Sequence, residues 1–308
     1  MRRFEPSEQI PNGAKGASIA LGNFDGVHLG HRAVIAAAQA VAEAKGYALG
    51  AAVFSPHPRR VLQPDAPPFQ LQTNDQRTRA LKAAGVQLQY VIAFDRALSQ
   101  LTDRQFVEQI VVQRIGAKHV SVGADFCFGR GRSGNIDTLA ALGAEFGFGV
   151  SAVAPVGGAE KFSSSAIRSA IASGDLAKAN GELGRPWAIE GEVRMGFQRG
   201  REFGYRTANV ALGDYVRPRL GIYAVQVRVG EGVYQGVASV GVNPTIGALP
   251  EPLLEAHIFD FDADIYGQTI EVEMVAFLRD EAKFETADAL VRQIAEDAAA
   301  ARDLLKGF

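Results

Sequence analysis

The stretch ALGNFDGVHLGHRAVI, residues 20–35, places two histidines in a glycine-rich turn between two apolar runs. Residues 17–24 predict a buried strand, and the alanine-rich residues 31–46 have the apolar spacing of a helix. A tight strand-to-helix turn is typical of the carboxyl edge of a parallel sheet, where open α/β folds bind their ligands. The turn therefore indicates the fold class of the first half of the chain and marks a candidate site.

The two histidines of this turn, His28 and His31, are suited to binding an anion. Backbone N–H groups at the start of a helix attract phosphate, glycines let it approach the backbone, and imidazoles add directed donors. The turn lacks the Gly-Lys-Ser/Thr of a Walker loop and the His-x-x-x-His with Glu of a helical zinc pair. The residues alone leave three interpretations open, which are a phosphate site, a structural turn and a metal site.

The composition is that of a globular protein of 308 residues, enough for about two domains. A net charge of −2 gives no overall basic field, so we expect no nucleic-acid partner. The single cysteine, Cys127, excludes an intrachain disulfide and a multi-cysteine zinc site and suits a reducing cytoplasm. Residues 1–16 lack the apolar core of a signal peptide, and no apolar run is long enough to span a membrane. The sequence sets no oligomeric state.

The pattern of predicted secondary structure changes near Arg185. Strand and helix signals alternate up to about residue 180, which predicts a parallel sheet covered on both faces. From there on, β-rich runs without intervening helices favour an antiparallel barrel or sandwich, followed by a helix at about 286–305. The expected domains are residues 1–184 and 185–308.

Four motifs of the first half carry a resemblance to a known family. The string GNFDGVHLGHR, residues 22–32, contains the His-x-Gly-His of nucleotidyltransferases and resembles the adenylyltransferase module of bacterial bifunctional riboflavin kinase/FAD synthetases. The family's later motifs are matched in order by FSPHPRRVL (54–62), VGADFCFGRGRSGN (122–135) and FSSSAIRSAIASGD (162–175). The resemblance implies a Rossmann-like nucleotidyltransferase domain with a parallel sheet.

The same resemblance implies residue roles in the adenylylation of FMN to FAD. His28 and His31 would contact the ATP phosphates and stabilise the charge that grows on the departing pyrophosphate. The nucleotide would be bound by Gly22, Asn23, Phe24, Asp25, Gly26, Ser164, Ser165 and Arg168. Ser165 stands where the family usually has threonine, and it keeps the hydroxyl. Asp125 and Phe126 are candidates for binding the flavin.

The second half resembles the riboflavin kinase module of the family. The resemblance begins with GRPWAIEGEVRMGFQRGREFGYRTANVAL, residues 184–212, and implies a six-stranded antiparallel β-barrel with a terminal helix. Thr207 and Asn209, two residues apart on a strand, share a face, and their side-chain oxygens suit Mg²⁺. Glu255 falls at the family's catalytic base, which accepts the proton of the ribityl 5′-hydroxyl as that oxygen attacks the γ-phosphate of ATP.

One residue departs from the kinase pattern, because Arg206 replaces the proline of the family's Pro-Thr-Ala-Asn. Proline would fix φ near about −65° and prearrange the metal-binding turn. Nearby Arg199 and Arg201 are candidates for holding ADP phosphates. The first hypothesis is a bifunctional enzyme that uses ATP and Mg²⁺. The alternatives are an FAD synthetase whose kinase half only binds flavin, and a non-catalytic flavin-responsive binding protein.

Overall fold

The computed structural model describes residues 1–158, 161–195, 206–242 and 252–307. This part of the chain divides into two compact units. The first comprises residues 1–67 and 74–163, and the second comprises residues 68–73 and the chain from Ser164 onward. One unit contains a parallel sheet and the other an antiparallel sheet, so the predicted fold class is confirmed.

The first unit is built on a parallel sheet with the strand order β1-β4-β3-β2-β5-β6. Its strands are β1 (Arg2–Phe4), β2 (Ser18–Gly22), β3 (Leu49–Ser55), β4 (Leu88–Ala93), β5 (His119–Gly123) and β6 (Gly149–Val153). The chain adds strands on one side of β2 as far as β4 and then adds β5 and β6 on the other side. The direction of sheet building therefore reverses between β2 and β5, and such a switch point forms a crevice at the carboxyl ends of the strands.

Helices cover both faces of the parallel sheet. They are α1 (Leu29–Lys45), α2 (Pro58–Leu62), α3 (Asn74–Ala83), α4 (Arg96–Ser99), α5 (Asp103–Phe106), a wider π-helix that continues it (Val107–Ile115), and α6 (Ile136–Phe146). Neighbouring residues of β2 show how the two faces are used. Ile19 packs with Phe106 and Leu139 on one face, whereas Ala20 packs with Ala38 of α1 on the other. Because both faces are buried, the strands read as apolar runs rather than as alternating ones.

The second unit is an antiparallel sheet with the strand order β7-β12-β9-β10-β11-β8. Its elements are α7 (Ser164–Ser173), α8 (Leu176–Leu183), β7 (Trp187–Glu192), β8 (Ala208–Ala211), β9 (Gly221–Val229), β10 (Gly232–Val242), β11 (Pro252–Ile258), β12 (Thr269–Arg279) and α9 (Ala287–Leu305). Just beyond β7, the N–H of Arg194 donates to the carbonyl of Asn209 on β8 at 2.9 Å. This link joins the two edges of the sheet and nearly closes a six-stranded barrel.

A short segment from the first half of the sequence, Pro68–Thr73, belongs to the second unit. The N–H of Gln70 donates to the carbonyl of Asp214 at 2.9 Å, and the indole Nε1 of Trp187 donates to the carbonyl of Leu71 at 2.8 Å. The segment therefore supplies backbone hydrogen bonds and apolar packing to a unit whose other residues lie far along the chain.

Candidate active sites

The turn that follows β2 has an unusual backbone for its residue types. Gly22 ends the strand, and Phe24, Gly26 and Val27 have φ values of 51°, 92° and 42°. The N–H of Val27 donates to the carbonyl of Phe24 at 3.3 Å and closes the turn. Positive φ is costly for residues other than glycine, so contacts from the surrounding residues must hold this conformation.

The turn delivers the two histidines to the start of α1. His28 is the N-cap residue, and its Nδ1 accepts a hydrogen bond from the N–H of His31 at 3.3 Å. The two imidazole rings stack with centroids 3.7 Å apart, and the ring of Phe24 lies 5.2 Å from that of His31. Because Nδ1 of His28 is an acceptor, the neutral imidazole carries its hydrogen on Nε2. Backbone N–H groups at a helix N-terminus attract anions, so the position of the two imidazoles suits a phosphate ligand.

Gly30, in the first turn of α1, leaves the space that the ring of His28 occupies. A Cβ on Gly30 would lie 3.0 Å from Cε1 and 3.1 Å from Nδ1 of His28, and 3.4 Å from the carbonyl oxygen of Phe162. His28 itself is only 5% exposed, so its ring has little room to move. Gly30 therefore has a packing role that the spacing of the histidines did not predict.

Arg77 contributes to this site although sequence reasoning missed it. It lies on α3, and its guanidinium donates to the carbonyl of Asn23 in the turn at 3.1 Å. No local pattern in the sequence marks Arg77, because the carbonyl that it contacts lies 54 positions away. The turn contains the predicted residues Asn23, Phe24, Asp25 and Gly26. Asp25 is buried, and the negative charge of its carboxylate raises the pKa of Arg77 against the larger, opposite effect of burial.

The loop after β5 carries the two predicted flavin residues. Asp125 is exposed and forms an ion pair with Lys161, and this hydrogen bond from the ammonium lowers the pKa of the Asp125 carboxyl. Phe126 is half-buried and stacks on Phe128 with ring centroids 5.7 Å apart. β5 borders the switch point, so its carboxyl end lies at the same edge of the sheet as that of β2.

The remaining predicted nucleotide residues lie in the second compact unit. Ser164 and Ser165 open α7, and Arg168 follows one turn later. Nε of Arg168 donates to the carbonyl of Phe69 at 2.6 Å, and the guanidinium lies 5.4 Å from the centroid of the Phe69 ring. The guanidinium of Arg168 is therefore anchored on the segment Pro68–Thr73.

The predicted kinase residues meet on neighbouring strands of the barrel. Asn209 on β8 lies directly opposite Glu255 on β11. Their neighbours Ala208 and Leu254 belong to the barrel core, so Asn209 and Glu255 occupy the opposite, outer face. Side chains of directly opposed residues are close enough to act on one ligand. The two residues are 46 positions apart in the sequence, so sequence spacing alone could not establish this pairing.

Two contacts hold the backbone that precedes Asn209. Nδ1 of His257 on β11 donates to the carbonyl of Arg206 at 2.9 Å. The guanidinium of Arg206 pairs with the exposed carboxylate of Asp262. Sequence reasoning missed His257, which contacts the backbone one residue before Thr207. The predicted phosphate ligands Arg199 and Arg201 lie outside the described residues.

The oxygen donors of this barrel face suit a hard cation. Thr207 and Asn209 offer hydroxyl and amide oxygens, and Glu255 lies opposite Asn209. Within the described ranges, no group of three or more His, Cys, Asp or Glu side chains is arranged to hold a metal. A site made of few protein oxygens together with water and phosphate is what Mg²⁺ prefers, so these residues fit it.

Comparisons with known proteins match both halves. A family model described as FAD synthetase matches residues 10–166, and one described as riboflavin kinase matches residues 183–305. A bifunctional riboflavin kinase/FMN adenylyltransferase of Escherichia coli (strain K12) is 36% identical, covering 94% of this chain and 93% of its own. That of Haemophilus influenzae is 38% identical, with 94% of each chain covered. A crystal structure described as a macrolide-efflux protein from Streptococcus pneumoniae is 33% identical, with a TM-score of 0.84 over 94% of each chain. In the part of this chain that the structure describes, no helix is both long enough and apolar enough to cross a membrane.

Proposed function

Since this chain belongs to the family of bifunctional riboflavin kinases/FMN adenylyltransferases, we propose which of its residues carry each of the two reactions. The chain phosphorylates riboflavin to FMN with ATP, and it adenylylates FMN to FAD with release of pyrophosphate. We assign adenylyl transfer to residues 1–184 and kinase activity to residues 185–308. The matches over residues 10–166 and 183–305 support this division.

The observation that carries the adenylyltransferase assignment is the stacked pair His28 and His31 at the start of α1, beside the switch point of the parallel sheet. A phosphate oxygen of FMN attacks the α-phosphorus of ATP, and the bond to the β-phosphate oxygen breaks. Negative charge then moves onto pyrophosphate. The Nε2–H of His28, the His31 imidazole and the helix N-terminus would stabilise that charge.

The other residues of this half would position the two substrates. Gly22 to Gly26 would surround the nucleotide, whereas Asp125 and Phe126 at the end of β5 would contact the flavin. Ser164, Ser165 and Arg168 would bind the triphosphate through hydroxyls and a guanidinium. No protein nucleophile is required, because the attacking group is the FMN phosphate itself, so catalysis rests on positioning and electrostatic stabilisation.

The kinase assignment rests on Glu255 facing Asn209 across β11 and β8. The Glu255 carboxylate would accept the proton of the ribityl 5′-hydroxyl while that oxygen attacks the γ-phosphorus of ATP. Thr207 and Asn209 would hold Mg²⁺ beside the phosphates. When bound, the cation neutralises charge on the phosphate oxygens and on the departing ADP. The hydrogen bond from His257 to the carbonyl of Arg206 would keep Thr207 in position where the family has proline.

The setting that we propose for both reactions is the cytoplasm. The single cysteine suits a reducing compartment, and the substrates riboflavin, FMN and ATP are small soluble molecules. With a net charge of −2, the chain has no overall field that would attract nucleic acid.

Two parallel incubations test the function. Purified protein is mixed with Mg–ATP and riboflavin in one tube, and with Mg–ATP and FMN in the other, and the flavins are separated by chromatography. We expect FMN and FAD in the first tube and FAD in the second, and we expect EDTA to stop both reactions because each uses Mg–ATP.

The alternatives give different product patterns. FAD from FMN, with no FMN from riboflavin, would mean that the kinase half only binds flavin, as the exchange of proline for Arg206 suggested. A protein that binds flavin but forms no product in either tube would be a binding protein. Either pattern would overturn the bifunctional assignment.

A further inference from the structure

Arg77 is a buried cation in a unit whose polar groups are mostly at its surface. Its residue is 5% exposed, and it lies on α3 between the buried residues Gln76 and Leu81. Burying a charge is costly unless hydrogen bonds and opposite charge compensate for it. The contacts of Arg77 therefore indicate what the residue is for.

The guanidinium of Arg77 ties together two strand ends and a helix start. Nη1 donates to the carbonyls of Asn23, just after β2, and of Phe54, near the end of β3, each at 3.1 Å. Nη2 donates to Oδ1 of Asn74 at the start of α3, at 2.9 Å. A planar guanidinium can direct several donors at fixed acceptors in this way, whereas an ammonium acts as a point charge.

The carbonyl of Asn23 is the last one before the strained part of the turn. The next residue, Phe24, has φ of 51°, and Val27 has φ of 42°. Each such residue costs on the order of 1–3 kcal/mol unless its surroundings fix it. Fixing the carbonyl of Asn23 sets the direction in which the chain enters the turn, and the turn sets the place of His28.

The charge of Arg77 persists at neutral pH. Burial lowers its pKa, the Asp25 carboxylate opposes that effect and Arg3 adds to it, and the result is about 10. A group with that pKa is protonated at pH 7, so Arg77 presents a fixed positive charge behind the turn that would face the ATP phosphates.

We propose that Arg77 is a positioning residue for adenylyl transfer, because it holds the carbonyl of Asn23 against the end of β3 and so fixes the turn that presents His28 and His31. The proposal rests on the function assigned above to residues 1–184. Arg77 acts through the turn rather than on the substrates, so its loss should lower the rate of the chemical step more than it weakens ATP binding.

The test compares Arg77→Met, Arg77→Lys and the control Arg79→Met, which removes an exposed arginine from the same helix. Conversion of FMN to FAD and of riboflavin to FMN is measured for each full-length variant. We expect Arg77→Met to lower kcat for FAD formation about 100-fold, with KM for ATP within about threefold of the wild-type value. Arg77→Lys should fall between wild type and Arg77→Met. Riboflavin phosphorylation and the control variant should stay within about twofold.

Several outcomes would overturn the proposal. These are an unchanged kcat for FAD formation in Arg77→Met, a raised KM with unchanged kcat, or an equal loss of both activities. If Arg77→Met and Arg77→Lys fail to fold, Asn74→Ala removes one acceptor from an exposed position, and kcat for FAD formation should still drop about threefold to tenfold; no drop in that variant rejects the proposal. Wild-type protein that makes FMN but no FAD would instead reject the adenylyltransferase assignment, and the role of Arg77 with it.

Discussion

Gly30 has no side chain, and adding one is expected to affect the stability of the protein and its activity differently. Gly30 lies in the first turn of α1, where alanine has the higher helix propensity, by about 1 kcal/mol in a helix interior. Its Cβ would nevertheless approach the ring of His28 to 3.0 Å. Helix propensity and this close contact act in opposite directions on stability, whereas only the contact acts on the position of His28.

We expect Gly30→Ala to change the free energy of unfolding by no more than about 1 kcal/mol, because the gain in helix propensity and the crowding of the His28 ring oppose each other. FAD formation should slow about tenfold, because the His28 ring is displaced. Urea unfolding and the rate of FMN conversion measure the two effects. The matched control is Gly181→Ala on α8, where an added Cβ meets nothing within 4 Å. The interpretation fails if Gly30→Ala makes FAD at the rate of that control.

His119 shows how one buried imidazole couples strands of the parallel sheet. Oγ of Ser18 donates to the carbonyl of Ala38 at 2.7 Å, so it accepts from Nδ1–H of His119, 3.1 Å away. Nε2 of His119 then accepts from the hydroxyl of Ser151 at 2.9 Å. The chain of hydrogen bonds fits a neutral imidazole, and burial lowers the pKa of His119.

This lowered pKa predicts acid sensitivity. The unfolded chain, with a histidine pKa of about 6.5, takes up the proton before the folded chain does. The stabilisation is therefore complete above about pH 6.5 and declines as the pH falls towards the folded-state pKa. Between about pH 7.5 and 5.5, wild type should lose more free energy of unfolding in urea than His119→Gln. Equal losses in the two proteins would contradict the prediction.

At the scale of elements, the terminal helix α9 is held to the barrel by the ion pairs Arg279–Asp297 and Arg302–Asp260, of which the first is the more buried. Arg279 at the end of β12 binds Asp297 through two hydrogen bonds of 2.8 and 2.6 Å, and Gln293 adds a third at 3.1 Å. The side chain of Asp297 is 8% exposed, so its loss would leave a largely buried guanidinium without that partner.

We expect Asp297→Ala to reduce the free energy of unfolding by about 3 kcal/mol, because removing one partner of a buried ion pair leaves the charge of the other uncompensated. Asp303→Ala is the control. It breaks an exposed pair between this helix and Lys306, the residue that follows it, and should cost less than about 0.5 kcal/mol. Urea unfolding of both variants checks the difference, and equal stabilities would show that the Asp297 pair does not fix the helix.

Most elements of the fold could be predicted from local pattern, because their signals are local. Apolar runs and N-caps place α1, α6 and α9 to within a few residues, and Thr286 caps α9 through its side chain. Elements that depend on distant partners were missed. β1 is too short to show a pattern and exists because it pairs with β4.

The same distinction applies to the candidate sites. The histidine turn could be predicted because its residues are contiguous. Arg77 could not, since it reaches Asn23 across 54 positions of sequence. Likewise the pairing of Asn209 with Glu255 is a consequence of strand register, which the sequence does not encode locally.

At the scale of the whole molecule, the two reactions should be separable by single substitutions. His28→Ala should reduce FAD formation about 100-fold to 1,000-fold, because it removes a donor to the leaving group, and should leave riboflavin phosphorylation intact. Asn209→Ala should do the reverse. Both rates are measured on the same preparations, with FMN as the starting flavin for one and riboflavin for the other. A substitution that lowers both rates together would contradict the assignment of each reaction to its own residues.

The segment Pro68–Thr73 has a consequence for how the protein is made. Leu71, whose carbonyl binds the indole of Trp187, leaves the ribosome 116 residues before its partner. At about 5–20 residues per second, that delay is about 6 to 23 s. For that time the apolar side chains of Phe69 and Leu71, each 2% exposed in the folded protein, lack the later part of the chain against which they pack. During synthesis the chain therefore passes through a stage in which this segment exposes apolar side chains. Slow translation after this segment should increase the demand for chaperones.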